Sequence, residues 1–129
     1  MLRTEIVPRI SETNMAGHIG HTTIPVWLEA GYDEVIRMFN DHRGGPSLIM
    51  SGFSVDCLAE LFYAENVEVR SWIDKIGRSS FVVYQEIHQG GRLCTRGATT
   101  FINFDYKNQR TEPIPQNLRL RLEEHLRDG

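Results

Sequence analysis

The sequence predicts an α+β domain in which an antiparallel sheet wraps around one long central helix. One observation is a segment with helical spacing over residues 23–40, whose apolar side chains cover roughly half of the circumference. The other is a run of alternating segments between residues 67 and 104, joined by short turns. A helix with so wide an apolar face must pack against a large surface, which the strands supply. The 129 residues contain no repeat or linker, so we expect a single domain over residues 1–129.

The first elements are a strand and the long helix. Residues 3–10 alternate and carry β-branched side chains, which predicts a strand, and Pro8 indicates a strand end or a sheet edge. The helix follows over residues 23–40. Pro25 is tolerated in its first turn because the missing N–H has no intrahelical acceptor there. Residues 41–46 contain two glycines and a proline and end the helix.

The second half is mostly strands. Residues 47–63 fit both a strand and a helix, and their period does not decide between the two. Strands are predicted over residues 67–76, 81–88 and 93–104, with a tight hairpin turn between the last two. Residues 116–127 predict a short helix with leucines on one face, although their alternation also permits a strand.

Composition narrows the class of protein. The formal net charge of −3 argues against nonspecific nucleic-acid binding, which needs a basic surface. No apolar run approaches the ~20 residues that span a bilayer, and the N-terminus lacks a signal-peptide core, so we expect a cytoplasmic protein. Cys57 and Cys94 lie in apolar stretches and are expected to be buried free thiols. No Cys or His spacing indicates a metal site.

Basic residues cluster in the middle of the chain. They are either solvated residues of strand edges or a surface that binds the phosphates of a nucleotide-bearing substrate. The cluster consists of Arg70, Lys75, Arg78, Arg92 and Arg96.

Residues 12–23 form the most informative segment. A glycine-punctuated loop brings Asn14, His18 and His21 to the predicted start of the helix, where Thr22 or Thr23 can act as the cap. A helix N-terminus presents unpaired N–H groups and a partial positive charge. Such a place can hold a carbonyl oxygen that becomes negative during acyl transfer.

The order of elements and the loop residues resemble the hotdog-fold thioesterases of the 4-hydroxybenzoyl-CoA thioesterase type, over nearly the whole chain. The most specific part is Asn14-x-x-Gly17-His18-x-x-His21-Thr22-Thr23-x-Pro25-Val26-Trp27-x-Glu29. A second matching part is Ile76-Gly77-Arg78-Ser79-Ser80-Phe81, followed by Gly90-Gly91-Arg92-Leu93-Cys94 and a long last strand.

The resemblance implies a five-stranded sheet around the helix and a homodimer paired edge to edge, which in some members dimerises again into a homotetramer. It implies an acyl-CoA substrate, with coenzyme A present only as part of that substrate and no other cofactor. The thioester would lie across the helix N-terminus, beside a loop carboxylate that acts as base or nucleophile. CoA phosphates would rest on basic surface residues.

One departure from the family pattern concerns the loop carboxylate. The catalytic Asp of the family falls on Asn14 here, and a neutral amide is neither a base nor a nucleophile. Either the chain has been substituted to trap substrate, or another group supplies the base, or the protein binds acyl-CoA without hydrolysing it.

The candidate catalytic residues are therefore Asn14, His21, Glu29 and His18. Asn14 can orient water or the thioester oxygen, or it is a plain turn residue. His21 lies where Tol–Pal-associated relatives carry a His implicated in catalysis, and an imidazole can move protons near neutral pH; its alternative is a capping or surface role. Glu29 borders the apolar stripe and is either a base or a surface carboxylate, and His18 is either catalytic or holds the loop. Asp56 interrupts an apolar segment and is a lesser candidate.

Substrate contacts are expected from loop, helix-start and turn residues. Each has an ordinary structural alternative as a turn or capping residue. They are Gly17, Thr22, Thr23, Arg78, Ser79 and Ser80.

The function predicted is acyl-CoA thioester hydrolysis. Three alternatives stay open: a non-catalytic acyl-CoA binding module on the same fold, a hydratase or dehydratase, and a structural oligomer without a ligand. The spacing of His21 and Glu29 is not the usual arrangement of hotdog hydratases. The missing loop Asp favours the binding module.

Overall fold

The computed structural model describes residues 1–14 and 17–128; Met15, Ala16 and Gly129 lie outside the described residues. A single turn of 3-10 helix, Ile10–Glu12, precedes the central helix. The elements in chain order are β1 (Leu2–Ile6), α1 (Thr23–Arg43), β2 (Leu48–Cys57), β3 (Val67–Ile76), β4 (Ser80–Gln89), β5 (Arg92–Asp105), β6 (Arg110–Thr111) and α2 (Gln116–Glu123).

The strands form one antiparallel sheet in the order β1-β3-β4-β5-β2, with the two-residue β6 paired to the end of β5. The edges of this order are therefore β1 and β2. The predicted architecture, an antiparallel sheet around one long helix, is confirmed. The β4–β5 hairpin turns through Gly90 and Gly91, whose φ angles of 59° and 74° suit a turn that needs two left-handed residues.

The apolar stripe of α1 packs against the inner face of the sheet. Phe39 stacks on Phe81 of β4, with ring centroids 5.2 Å apart, and Tyr32 meets Phe101 of β5 edge to face. Ile36, at the margin of the stripe, is half-buried. The buried members of the stripe are Ile24, Trp27, Leu28, Gly31, Tyr32, Val35, Met38 and Phe39.

A buried polar cluster seats the middle of α1. The Gln85 side chain of β4 donates to the carbonyl of Leu28 at 2.8 Å and to the Ser71 hydroxyl at 2.9 Å. Ser71 in turn donates to the carbonyl of Gly31 at 3.0 Å. Gly31 permits this close approach because a Cβ there would lie 2.5 Å from Val69 Cγ1. The cluster fixes the helix along the sheet, and with it the position of the helix start.

The C-terminal segment differs from the prediction. The helix ends at Glu123 rather than continuing to residue 127, and Leu126 is 44% exposed instead of sharing the buried face of Leu118 and Leu122. The reason is a competing set of backbone hydrogen bonds. The Ile73 N–H donates to the His125 carbonyl at 2.8 Å, and the Arg127 N–H donates to the Ile73 carbonyl at 2.7 Å. The chain therefore leaves the helix and pairs with β3 beyond the residues that β1 covers.

Three further expectations are corrected. The first strand ends at Ile6, and Pro8 is buried in the following loop. Thr22 stands at the N-cap of α1, but no side chain makes a cap hydrogen bond there. Cys57 is exposed, because it ends an edge strand, whereas Cys94 is buried and both thiols are free. The ambiguous segment resolves into β2 followed by irregular chain.

Candidate active site

A pocket of about 410 Å³ opens beside the start of α1. The loop that precedes the helix forms one wall, and the chain that leaves β2 forms the other. Its lining combines apolar side chains with one amide, one imidazole, one thiol and one carboxylate: Asn14, Ile19, His21, Ile24, Cys57, Leu58, Ala59, Glu60 and Leu61.

The loop wall is a small closed turn. Thr13 and Ile19 form an antiparallel bridge, and the Asn14 N–H donates to the His18 carbonyl at 2.8 Å. Gly17 has a φ of +78°, a left-handed conformation that strains other residues. The predicted glycine turn therefore brings Asn14 and His18 together at the mouth of the pocket.

Glu12 ties this loop to the helix. Its carboxylate accepts hydrogen bonds from the Trp27 indole at 2.9 Å and from the Arg9 N–H at 2.7 Å. Its carbonyl accepts the Gly20 N–H at 2.9 Å. Trp27 thus serves as a core residue that also anchors the loop.

The opposite wall is tied down by Gln89, which is only 6% exposed. Its side chain bonds to both backbone groups of Phe62, at 2.9 and 2.7 Å, and to the carbonyl of Glu65 at 2.8 Å. The Ile19 N–H donates to the Leu61 carbonyl at 2.8 Å, which joins the two walls. Hydrogen bonds to the backbone consequently hold the pocket on both sides.

Two predicted site residues, Asn14 and His21, come together in this pocket. Both line it, and both side chains are exposed. The Asn14 Oδ1 accepts the His18 N–H at 3.2 Å, so the side chain is oriented by the loop backbone. An amide and an imidazole thus face one solvent-filled space at the helix start.

His18 lies at the side of the pocket and pairs with a carboxylate that was not predicted from the sequence. Its Nδ1 is 3.2 Å from Glu60 Oε2, and its ring meets Phe62 edge to face with centroids 4.9 Å apart. No sequence spacing signals this contact, because Glu60 lies in the segment whose period was ambiguous. His18 therefore both holds the loop and contacts a pocket carboxylate.

The helix start offers fewer N–H groups than expected. The Thr23 N–H donates to the Gly20 carbonyl at 2.9 Å, and the Thr23 hydroxyl lies 3.5 Å from the Glu12 carbonyl. Pro25 has no N–H. Thr22 is exposed, and Ile24 lines the pocket. The Thr23 N–H is therefore engaged with the loop, and Pro25 adds no donor to the first turn.

Glu29 faces a different groove, of about 180 Å³, between α1 and β2. Burial, and secondarily the charge of Glu29, raises the pKa of Tyr32 in the same groove. The structure does not bring Glu29 together with Asn14 and His21. The groove is lined by Pro25, Leu28, Glu29, Tyr32, Met50, Phe53 and Thr99.

The turn that carries Arg78, Ser79 and Ser80 lies at the other end of α1. The Ser79 carbonyl accepts the Asn103 N–H at 2.7 Å, and Asn103 also contacts Arg43, the last residue of the helix. A helix of 21 residues is about 30 Å long. Within one chain these three residues are therefore far from the pocket, and a substrate role for them requires a second subunit.

Three of the remaining candidates, Arg70, Arg96 and Asp56, have ordinary partners. Arg70 pairs with Glu68, and Arg96 lies 3.3 Å from Asp56, whose side chain faces solvent. In the part of the chain that the structure describes, no three His, Cys, Asp or Glu side chains gather as metal ligands would, and no helix is long and apolar enough to cross a bilayer.

Comparison with known proteins places this chain in a family. The profile of the thioesterase-like superfamily matches residues 8–122. A predicted thioesterase from Bacillus stearothermophilus is 37% identical, with 99% of this chain and 98% of that chain covered and a TM-score of 0.93.

More distant structures share the fold. A thioesterase from Thermus thermophilus, complexed with coenzyme A and zinc, is 18% identical over 94% of this chain and 96% of that chain, with a TM-score of 0.83. A DHNA-CoA thioesterase from Staphylococcus aureus is 23% identical over 95% and 91% of the two chains, with a TM-score of 0.82. Among curated protein sequences, none matches significantly. The match over most of its length and the 37% identical relative show that this chain belongs to the thioesterase-like superfamily and has the hotdog fold.

Proposed function

We propose that this protein hydrolyses acyl-CoA thioesters in the pocket at the start of α1. The observation that carries the proposal is the meeting of Asn14, His21 and Glu60 in one solvent-open pocket beside a helix N-terminus. Family membership supports the reaction class. Apolar residues of the pocket, such as Ile19 and Leu61, suit the non-polar part of an acyl thioester.

The chemistry uses groups that the structure places at the pocket. Water attacks the thioester carbonyl carbon, and the carbonyl oxygen gains negative charge next to the first-turn N–H groups of α1. Removing one such donor typically costs ~3 kcal/mol of transition-state stabilisation. Asn14 orients the water or the carbonyl, and His21 can transfer a proton.

The functional unit is proposed to be a cytoplasmic homodimer or a dimer of dimers. The long edge strand β2 supports the oligomer, because its apolar residues Met50 and Phe53 are 43% and 57% exposed. Exposed apolar residues on a long unpaired edge favour pairing with another strand. Such pairing would cover the groove of Glu29, and it offers a second subunit for the turn of Arg78, Ser79 and Ser80.

The test is steady-state hydrolysis of aryl-CoA and fatty acyl-CoA thioesters by the wild type and by His21→Ala, Glu29→Gln and Asn14→Asp. Loss of thioester absorbance is the suitable readout, because a thiol reagent would also label the exposed Cys57. We expect turnover by the wild type and its loss in His21→Ala. Background rates for every substrate and every variant, including Asn14→Asp, would refute the hydrolase.

Asn14 favours one second candidate, a module that binds acyl-CoA without hydrolysing it. Titration calorimetry separates the two. Tight binding of CoA esters without any turnover would select the binding module.

A further inference from the structure

We infer that Glu60 is the general base of this pocket and that His18 positions its carboxylate. The inference rests on the proposed thioesterase function and supplies the carboxylate that Asn14 cannot. Glu60 lies in the segment after β2, on the pocket wall opposite the loop in which the family carries its catalytic Asp.

Glu60 is placed as a base must be. Its side chain is 63% exposed and lines the pocket, so water and substrate reach it. The His18 side chain is 35% exposed, and its Nδ1 lies 3.2 Å from Glu60 Oε2. The imidazole thus contacts one carboxylate oxygen and leaves the other open to accept a proton from water.

Other nearby carboxylates are committed elsewhere. Glu12 accepts from Trp27 and Arg9, Glu29 faces a separate groove, and Asp56 pairs with Arg96. Among the residues that the structure describes, Glu60 is the carboxylate that lines the pocket with Asn14 and His21.

His18 itself is supported on two sides. Phe62 packs its ring against His18, and its backbone is held by Gln89 from the end of β4. The N–H of His18 is held by Asn14 Oδ1. Such support keeps a catalytic side chain within the narrow range of positions that proton transfer needs.

Glu60 takes up and returns one proton in each turnover. It accepts the proton from water while the water oxygen bonds to the thioester carbon, giving a tetrahedral oxyanion beside the helix start. The oxyanion collapses, the carbon–sulfur bond breaks, and the sulfur takes the proton back from Glu60. The products are the free acid and the CoA thiol, with Glu60 restored.

The experiment compares kcat and KM of Glu60→Gln with those of the wild type and of Glu65→Gln, an exposed Glu on the same segment that does not line the pocket. General base catalysis contributes about 10²- to 10⁴-fold. We expect kcat to fall at least about 10²-fold in Glu60→Gln, with an unchanged dissociation constant for coenzyme A by calorimetry. Glu65→Gln should match the wild type.

The role of His18 is tested by a double-mutant cycle. His18→Ala should lower kcat more than it changes KM, and should add little to Glu60→Gln, because the two act as one unit. If His18→Ala changed kcat and KM equally, and its loss of activity added fully to that of Glu60→Gln, His18 would have a purely structural role. That result would overturn its assignment as the positioning residue.

The outcomes distinguish a failure of the Glu60 assignment from a failure of the proposed hydrolase function. Wild-type turnover with an unchanged kcat in Glu60→Gln would overturn the assignment of Glu60 and leave the hydrolase standing. No turnover by the wild type on any CoA ester would overturn the hydrolase, and with it the base.

Discussion

Replacing Gly31 with alanine tests how α1 is seated on the sheet and so how the pocket is positioned. A Cβ at Gly31 would lie 2.5 Å from Val69 Cγ1, 2.8 Å from Gln85 Nε2 and 3.1 Å from Ser71 Oγ. The valine is fully buried, and the Gln85 amide is held by two hydrogen bonds. Neither Val69 nor Gln85 can move away without losing packing contacts or hydrogen bonds.

The magnitude follows from opposing contributions. Overpacking a well-packed core costs about 1–3 kcal/mol. Displacing the Gln85 amide loses hydrogen bonds of about 1 kcal/mol each. Alanine gains about 1 kcal/mol over glycine in a helix interior. We therefore expect Gly31→Ala to lower the free energy of unfolding by about 3 kcal/mol.

Urea denaturation at a fixed protein concentration measures this change, with an unchanged m-value as the sign that only stability moved. Gly45→Ala is the matched control, because its added Cβ meets nothing within 4 Å. We expect it to stay within about 0.5 kcal/mol of the wild type. A Gly31→Ala variant as stable as the control would refute this account of how α1 packs on the sheet.

Three further predictions concern the pocket and the sheet. Asn14→Asp should raise kcat on the order of 10²-fold in an acyl-CoA hydrolysis assay, because a loop carboxylate adds a base; an unchanged rate would contradict it. Gln89→Leu should increase amide hydrogen exchange at Phe62, whose N–H bonds to the Gln89 side chain, and unaltered exchange would show that other contacts hold this wall. Glu86 accepts hydrogen bonds from His88 and Tyr84; although desolvation opposes them, these bonds lower its pKa. The stabilising contribution of the Glu86 carboxylate is present above the unfolded pKa of about 4.3 and is lost as pH falls through the lower folded value. The Tm of Glu86→Gln should therefore fall less steeply in acid than the Tm of the wild type. Parallel curves of Tm against pH for the two proteins would contradict this.

The helix and the hairpins were predictable because their signals are local. The stripe of α1 is wide, and Gly44, with a φ of +81°, ends the helix at Arg43, three residues later than the spacing indicated. Gly90 and Gly91 fix the β4–β5 turn in the same local way. Such elements need no knowledge of the rest of the chain.

The errors arise where distant segments decide the structure. Leucine spacing continues the last helix to residue 127, but the backbone of Ile73, about fifty residues earlier, captures the chain end. Cys57 lies in an apolar stretch, yet it is exposed because β2 is an edge strand, and alternation does not show which strand lies at an edge.

The site was predictable in part for the same reason. Asn14 and His21 belong to one loop, so the sequence places both beside the helix start. Glu60 reaches them only through the folding of β2 against β5 and the anchoring of Phe62 by Gln89. Glu29 lies less than ten residues from His21 but faces another groove, because the helix turns it away from the pocket.

The central claim is that the pocket beside α1 holds an acyl-CoA thioester, and Cys57 offers the most direct measurement. Its thiol is exposed in the pocket lining, whereas burial raises the pKa of the Cys94 thiol and protects it from alkylation. We predict that iodoacetamide labels Cys57, and that a saturating non-hydrolysable acyl-CoA analogue slows this labelling at least about tenfold, close to the loss expected for an occupied pocket. Labelling of Cys57 at the same rate with and without the analogue, while calorimetry shows the analogue bound, would contradict the claim.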